Sequence, residues 1–200
     1  MRKFLIAVLS VFIMGMKRDL GRNEFYAGLS GGRTMTRWMT YTDNGYLWSD
    51  GNLGFVMLTS VMPANIAEYG MFLGTRFGYR YAVELFYNRS GNKTSDMGFA
   101  DVAYSRQSFG AELLYYLFDG VMGFGVFASA MAGMHMLDYA MVFERDRINF
   151  GADAFGYGAG VGLEYGIGSV SARMKYAVEI LETERIRSQT RGTLQLLFRF

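Results

Sequence analysis

The chain has 200 residues, 51% of them hydrophobic and 19% charged, which is enough to bury a large apolar surface in one domain and too apolar for a disordered tail. No Cys and a single His exclude a disulfide scaffold, a thiolate metal site, a cysteine nucleophile and a multi-histidine zinc site. The 20 basic and 18 acidic residues are mixed throughout, at net charge +2, so no basic stripe points to nucleic acid.

The amino end opens Met1-Arg2-Lys3 and continues as an apolar run over 4–16, the basic and apolar regions of a secretory signal. That run is shorter than the roughly 20 apolar residues a spanning helix needs. Residues 1–23 are therefore expected to be an export signal and leader, and 24–200 the folded domain. Met14-Gly15-Met16, followed by Lys17 and Arg18, carries no small-x-small motif and leaves the cleavage position open.

Beyond Glu24 the pattern has period two. Tyr79, Tyr81, Val83, Leu85 and Tyr87 alternate with Arg80, Ala82, Glu84, Phe86 and Asn88. Val170, Ala172, Met174, Tyr176, Val178 and Ile180 alternate in the same way with Ser171, Arg173, Lys175, Ala177 and Glu179. Successive strand residues point to opposite faces, so each segment reads as a strand with one apolar and one mixed face. With 26 Gly, 16% aromatic residues and one Pro, the composition suits long strands. Eight segments are predicted, at about 24–34, 69–78, 79–88, 104–118, 121–137, 154–166, 168–181 and 189–200. Short turns fall at Gly78-Tyr79, Asp119-Gly120 and Gly166-Ile167-Gly168, and long connections run over 35–68, 89–103, 138–153 and 182–188. Short turns on one side and long loops on the other are what transmembrane barrels have. A ten-strand count stays open, should 53–62 cross with a partner segment.

The apolar face is expected to point outward, to lipid. A charge facing lipid at mid-depth costs about 2–4 kcal/mol, so that face should run free of Asp, Glu, Lys and Arg. The other face holds charges and the glycines Gly156, Gly158, Gly160 and Gly162, which would leave room for long side chains inside a narrow eight-stranded barrel. Bulky residues such as Tyr79, Leu113, Phe124 and Phe198 would overfill that lumen. Phe77, Tyr79, Tyr81, Tyr115, Phe124, Tyr165, Phe198 and Phe200 gather near the short-turn end as one interfacial girdle, with Tyr69, Tyr87, Phe109 and Phe155 as candidates for the other.

The opening Phe25-Tyr26-Ala27-Gly28-Leu29-Ser30-Gly31-Gly32, the hairpin Gly78-Tyr79-Arg80-Tyr81-Ala82-Val83-Glu84-Leu85 and the terminal Phe200 resemble the small eight-stranded outer-membrane β-barrel family. That family groups the OmpA transmembrane domain, OmpX, and opacity-type, porin-like surface proteins. The resemblance covers about 24–200. It implies an all-β, antiparallel, up-and-down transmembrane barrel in the outer membrane of a Gram-negative-type cell. It also implies that the closing strand, ending in Phe198 and Phe200, is the signal read by the barrel-insertion machinery.

The lumen-facing ionisable residues are expected to be Arg76, Glu84, Arg106, Glu112, Glu164, Arg173, Lys175, Glu179 and Arg191. Charges taken out of water must be paired, so these read as an internal network filling the lumen rather than a wide path. His135 should face inward near the outer rim as a structural residue, since Met134-His135-Met136 supplies no catalytic partner. Gly156-Tyr157-Gly158-Ala159-Gly160 lacks the Gly-Lys-Ser/Thr of a phosphate loop. In the first long loop, Trp38, Tyr41, Tyr46 and Trp48 offer an aromatic contact surface, ahead of an apolar run over 55–62 and Pro63. The expected function is a non-enzymatic structural or surface-adhesion barrel without cofactor or metal; a narrow porin-like channel for ions or small solutes is the alternative. Expected partners are outer-membrane lipid and lipopolysaccharide, the insertion machinery, and a host or cell-surface ligand.

Overall fold

Alternating sequence becomes strand along almost all of the described residues. The computed structural model describes residues 23–38, 47–49, 52–54, 65–78, 80–90, 93–96, 101–119, 123–142, 147–182 and 186–200. Residues 1–22 of the expected export signal and leader, residues 41, 46 and 79 and the run 55–62 lie outside them, while Asn23 already belongs to the first strand. The strands are β1 (Asn23–Trp38), β2 (Leu47–Ser49), β3 (Asn52–Gly54), β4 (Asn65–Phe77), β5 (Tyr81–Ser90), β6 (Lys93–Asp96), β7 (Asp101–Asp119), β8 (Phe124–Val142), β9 (Arg147–Ile167), β10 (Val170–Leu181) and β11 (Ile186–Arg199).

Eight of them form a closed antiparallel ring in the order β5-β4-β1-β11-β10-β9-β8-β7, sealed by the β5–β7 pairing. Closure pairs both edges of each strand along the ring, while above it β6 and the outer part of β9, residues 147–154, pair on one side only. β2 and β3 pair only with each other, and β6 pairs with the outer end of β7. The ring settles the strand count at eight. β1 pairs directly with β4 from Asn23↔Phe77 to Met35↔Asn65, and no further pair fits between them.

Each short connection contains a glycine in the left-handed region: Gly78 (φ 59), Gly123 (φ 77) and Gly168 (φ 62). The third turn lies later than its expected position. Gly166 and Ile167 stay in β9, paired with Ser171 and Val170, so the connection is the two residues Gly168 and Ser169. A two-residue hairpin needs positive φ in its loop, and Gly168 supplies it.

The two faces are inverted relative to a water-soluble protein. Met174, Tyr176, Val178 and Ile180 are exposed along β10, while Arg173, Lys175 and Glu179 between them are buried. The same holds on β11, where Leu194, Leu196 and Phe198 are exposed and Arg191, Thr193 and Gln195 are buried. The outward face departs from the expected charge-free band at one place within the predicted segments: Arg33 on β1 is exposed. It stands well toward the long-loop end, where β1 runs on to Trp38.

The lumen holds more than charge and glycine. Tyr26, Phe72, Phe86, Leu114, Tyr116, Phe127, Met131 and Leu197 form an apolar cluster inside the ring. Four of its rings lie over the glycine directly across the ladder: Phe72 on Gly28, Tyr26 on Gly74, Phe86 on Gly110 and Phe127 on Gly162. A Cβ on Gly162 would come within 2.2 Å of the Phe127 ring, and one on Gly28 within 2.3 Å of the Phe72 ring. A ring folded over a cross-strand glycine covers bare backbone and fills the narrow bore.

Candidate functional site

The polar interior is built chiefly by β10. Its inward residues Arg173, Lys175 and Glu179 face Glu164, Gly162 and Gly158 across the β9 ladder. Neither glycine puts a side chain beside Lys175 or Glu179, the space over Gly162 being taken by the Phe127 ring, and Glu164 meets Arg173 directly.

At the short-turn half, Arg173 ties several walls together. Its Nη1 donates to Glu84 Oε1 on β5 and, at 3.2 Å, to Gln195 Oε1 on β11. Its Nη2 donates to Glu164 Oε2 at 2.9 Å and to the Tyr116 hydroxyl at 3.1 Å, and its Nε donates to Glu164 Oε2 at 3.1 Å. Tyr26 donates to Glu84 Oε1 at 2.8 Å and Tyr116 to Glu164 Oε2 at 2.6 Å. Arg199 closes the group by donating to Glu164 Oε1. The Arg173 guanidinium also lies 5.1 Å from the Phe127 ring centroid and 5.8 Å from that of Tyr26. Arg76 stacks 3.9 Å over the Tyr116 ring.

Midway, Lys175 Nζ donates to Glu112 Oε2 at 2.5 Å. Toward the long-loop end a chain of charges crosses the bore. Arg106 Nη2 donates to Glu68 Oε2, which also accepts from Thr34 at 2.5 Å. Arg191 reaches Glu68 Oε1 at 3.4 Å and Glu179 Oε2 at 3.1 Å, and His135 Nε2 lies 3.0 Å from Glu179 Oε1. These groups are almost wholly withdrawn from solvent; Arg106, Glu84 and Arg173 are each no more than 2% exposed. Charges at such burial are sustained only by partners and hydrogen bonds of this quality.

All nine residues named from the sequence are buried on the inner face, eight in ion pairs and Arg76 on an aromatic ring. His135 is inward and fully buried. Sequence reasoning missed Glu68, because the predicted strand started at 69, four residues after β4 begins. The signal was there: Glu68 is in phase with Phe72 and Arg76 on the inner face of β4. It also passed over Tyr26, Tyr116, Gln195 and Arg199 as partners. Of the loop aromatics, Trp38 ends β1 and Trp48 lies in β2, while Tyr41 and Tyr46 fall outside the described residues. Phe198 and Phe200 are exposed at the short-turn end, where the Phe200 backbone N–H donates to the Phe25 carbonyl at 2.9 Å.

No protein-family model and no curated protein sequence matches the chain. Solved structures do. Neisserial surface protein A (NspA) superposes with a TM-score of 0.58 at 13% identity, covering 88% of this chain and 97% of that one. Ail, the attachment invasion locus protein of Yersinia pestis, solved in complex with the heparin analogue sucrose octasulfate, gives 0.56 at 13% identity, covering 88% and 99%. A major outer membrane protein from Thermus thermophilus gives 0.58 at 10% identity, covering 89% and 99%. The apolar belt facing outward is the surface such barrels present to lipid, and it accords with a place in the cell outer membrane. In fold, the chain is an eight-stranded up-and-down barrel of the small outer-membrane kind.

Proposed function

We propose that this barrel is an integral outer-membrane protein with a structural or surface-adhesion role, its lumen plugged by the buried ion pairs, and that it performs no catalysis. The observation that carries the plug is Arg173, bonded at once to residues of β5, β7, β9 and β11 across a bore already filled by aromatic rings. Eight strands enclose an interior that side chains alone can fill. The adhesive reading draws support from the fold shared with Ail, whose structure carries a heparin analogue, and from the aromatic residues Trp38, Tyr41, Tyr46 and Trp48 that the sequence gathers over 38–48. The partners would be outer-membrane lipid and lipopolysaccharide, the insertion machinery at the Phe198 and Phe200 end, and a ligand on another cell. Residues 1–23 would be the export signal.

A narrow channel for ions or small solutes is the second reading. The inward side chains of β11 favour it, since Gln189, Arg191, Thr193 and Gln195 are polar one after another. Planar-bilayer recordings of the refolded chain decide between the two: a flat baseline supports the plug, and a steady open level defeats it. Loop-dependent adhesion is checked by deleting 39–64, because 35–38 and 65–68 are strand residues of β1 and β4. Undiminished attachment to cells or matrix after that deletion removes the loop from the account.

A further inference from the structure

Arg33 and Arg89 are charged residues exposed on an outer face that is largely apolar. Arg33 on β1 stands opposite Gly192 of β11 and Ala67 of β4, and Arg89 on β5 stands opposite Tyr69 of β4 and Gln107 of β7. None of these neighbours carries a carboxylate. Among the described residues, the exposed carboxylates toward that end are Asp138 on β8, Asp153 on β9 and Glu182 just past β10, none of them on β1, β4 or β5. Among the described residues, Arg33 and Arg89 on the β1–β4–β5 wall therefore stand apart from the exposed carboxylates of β8, β9 and the end of β10.

The surroundings of Arg33 leave its guanidinium uncovered. A Cβ placed on either Gly31 or Gly192 would meet nothing within 4 Å, and Ala67 on the other side adds only a methyl group. β4 alone separates the two arginines, and their partners on it, Ala67 and Tyr69, are two residues apart. Two strand spacings of about 4.8 Å and two residues of about 3.4 Å put the two Cα atoms roughly 12 Å apart, a gap that two extended arginine side chains close over one small anion. Both arginines lie toward the long-loop ends of their strands, β1 ending at Trp38 and β5 at Ser90. A charge on the lipid face is tolerated at that height, where the headgroups are.

We propose that Arg33 and Arg89 clamp a phosphate group of an outer-leaflet lipid against the exposed face of β4. This inference rests on the outer-membrane reading above and adds a ligand class and a place to it. Guanidinium is the side chain suited to the task, since its planar fork matches two phosphate oxygens and its charge is independent of pH. Tyr69 and Tyr87, both exposed beside Arg89, are amphipathic rings suited to the headgroup boundary just below such a phosphate. Gly31, Ala67 and Gly192 leave a shallow trough in which the first part of an acyl chain can lie flat on the sheet.

The test uses the full chain refolded into phosphatidylcholine vesicles that contain a trace of spin-labelled phosphatidic acid or, in parallel, spin-labelled phosphatidylcholine. Several-fold preferential retention of phosphatidic acid at the protein surface is expected, falling to parity in R33Q/R89Q and remaining in D138N/D153N. Excess inorganic phosphate in the buffer should leave the preference unchanged; full displacement by it would overturn a lipid-borne ligand. Equal preference in R33Q/R89Q and in the parent would also overturn the proposal. Circular dichroism and protease resistance read insertion separately. A parent chain that fails to fold in vesicles sinks the membrane reading itself, whereas a folded parent without lipid preference sinks only the clamp.

Discussion

Glu84 on β5 and Glu112 on β7 stand directly opposite each other in the ladder, and each is neutralised from the far wall of the barrel, Glu84 by Arg173 and Glu112 by Lys175. Like charges in direct cross-strand register repel, and burial at 1% and 2% exposure removes the water that would screen them. Two cations spaced two residues apart on β10 answer both carboxylates together. The arrangement braces opposite walls, so these two ion pairs couple β10 to β5 and to β7, strands with which its backbone does not pair.

That coupling predicts an asymmetry between single and double substitutions. Lys175→Met leaves Glu112 buried without its cation and should cost about 3–5 kcal/mol of folding stability. E112Q/K175M removes both charges and should recover most of the loss, since an uncompensated charge costs more than a missing pair. Urea titration of the barrel in lipid vesicles measures both. If the single variant matches the parent, the pair contributes nothing and the brace is absent.

The ring-over-glycine pairs give a second prediction. A Cβ on Gly74 would lie 2.4 Å from Tyr26 Cζ, and the three nearest atoms all belong to that side chain. Gly74→Ala should therefore destabilise by about 1–3 kcal/mol through overpacking. Tyr26→Ala costs stability on its own, because Glu84 loses a hydrogen bond at 2.8 Å. In the combined variant the alanine at 74 no longer has a ring to displace, so the two losses should add to less than their sum. Strict additivity in thermal unfolding would mean that ring and glycine do not meet.

Much of this barrel can be read from period two alone, because phase along a strand decides which side chains meet the bore. Arg173, Lys175 and Glu179 could be placed inward without any knowledge of their neighbours, and so could Glu84 and Glu112. What phase does not carry is register. That Phe127 lies on Gly162, or that Glu84 faces Glu112, depends on how far one strand slides along the next, and the sequence of either strand is silent on it. Strand ends were the other gap. The predicted start at 69 hid Glu68, and the expectation of a charge-free outward face passed over Arg33, which is exposed within β1. Long strands that rise beyond the lipid lose the apolar half of their alternation there, and with it the signal that marks them.

Leu194 provides the sharpest check on which way the barrel faces. It lies near the middle of β11 beside Met174, and 67% of its surface is exposed. In a barrel surrounded by water, Leu194→Arg at so open a position would be close to neutral. In lipid the same change at mid-depth should cost about 2–4 kcal/mol, whereas Met35→Arg, two residues beyond Arg33 toward the loops, should cost no more than about 1 kcal/mol. Folding free energies of the two variants in the same vesicles measure that gradient. Equal costs at both heights would mean that the apolar belt meets no membrane, and the inward burial of the charges would then need another cause.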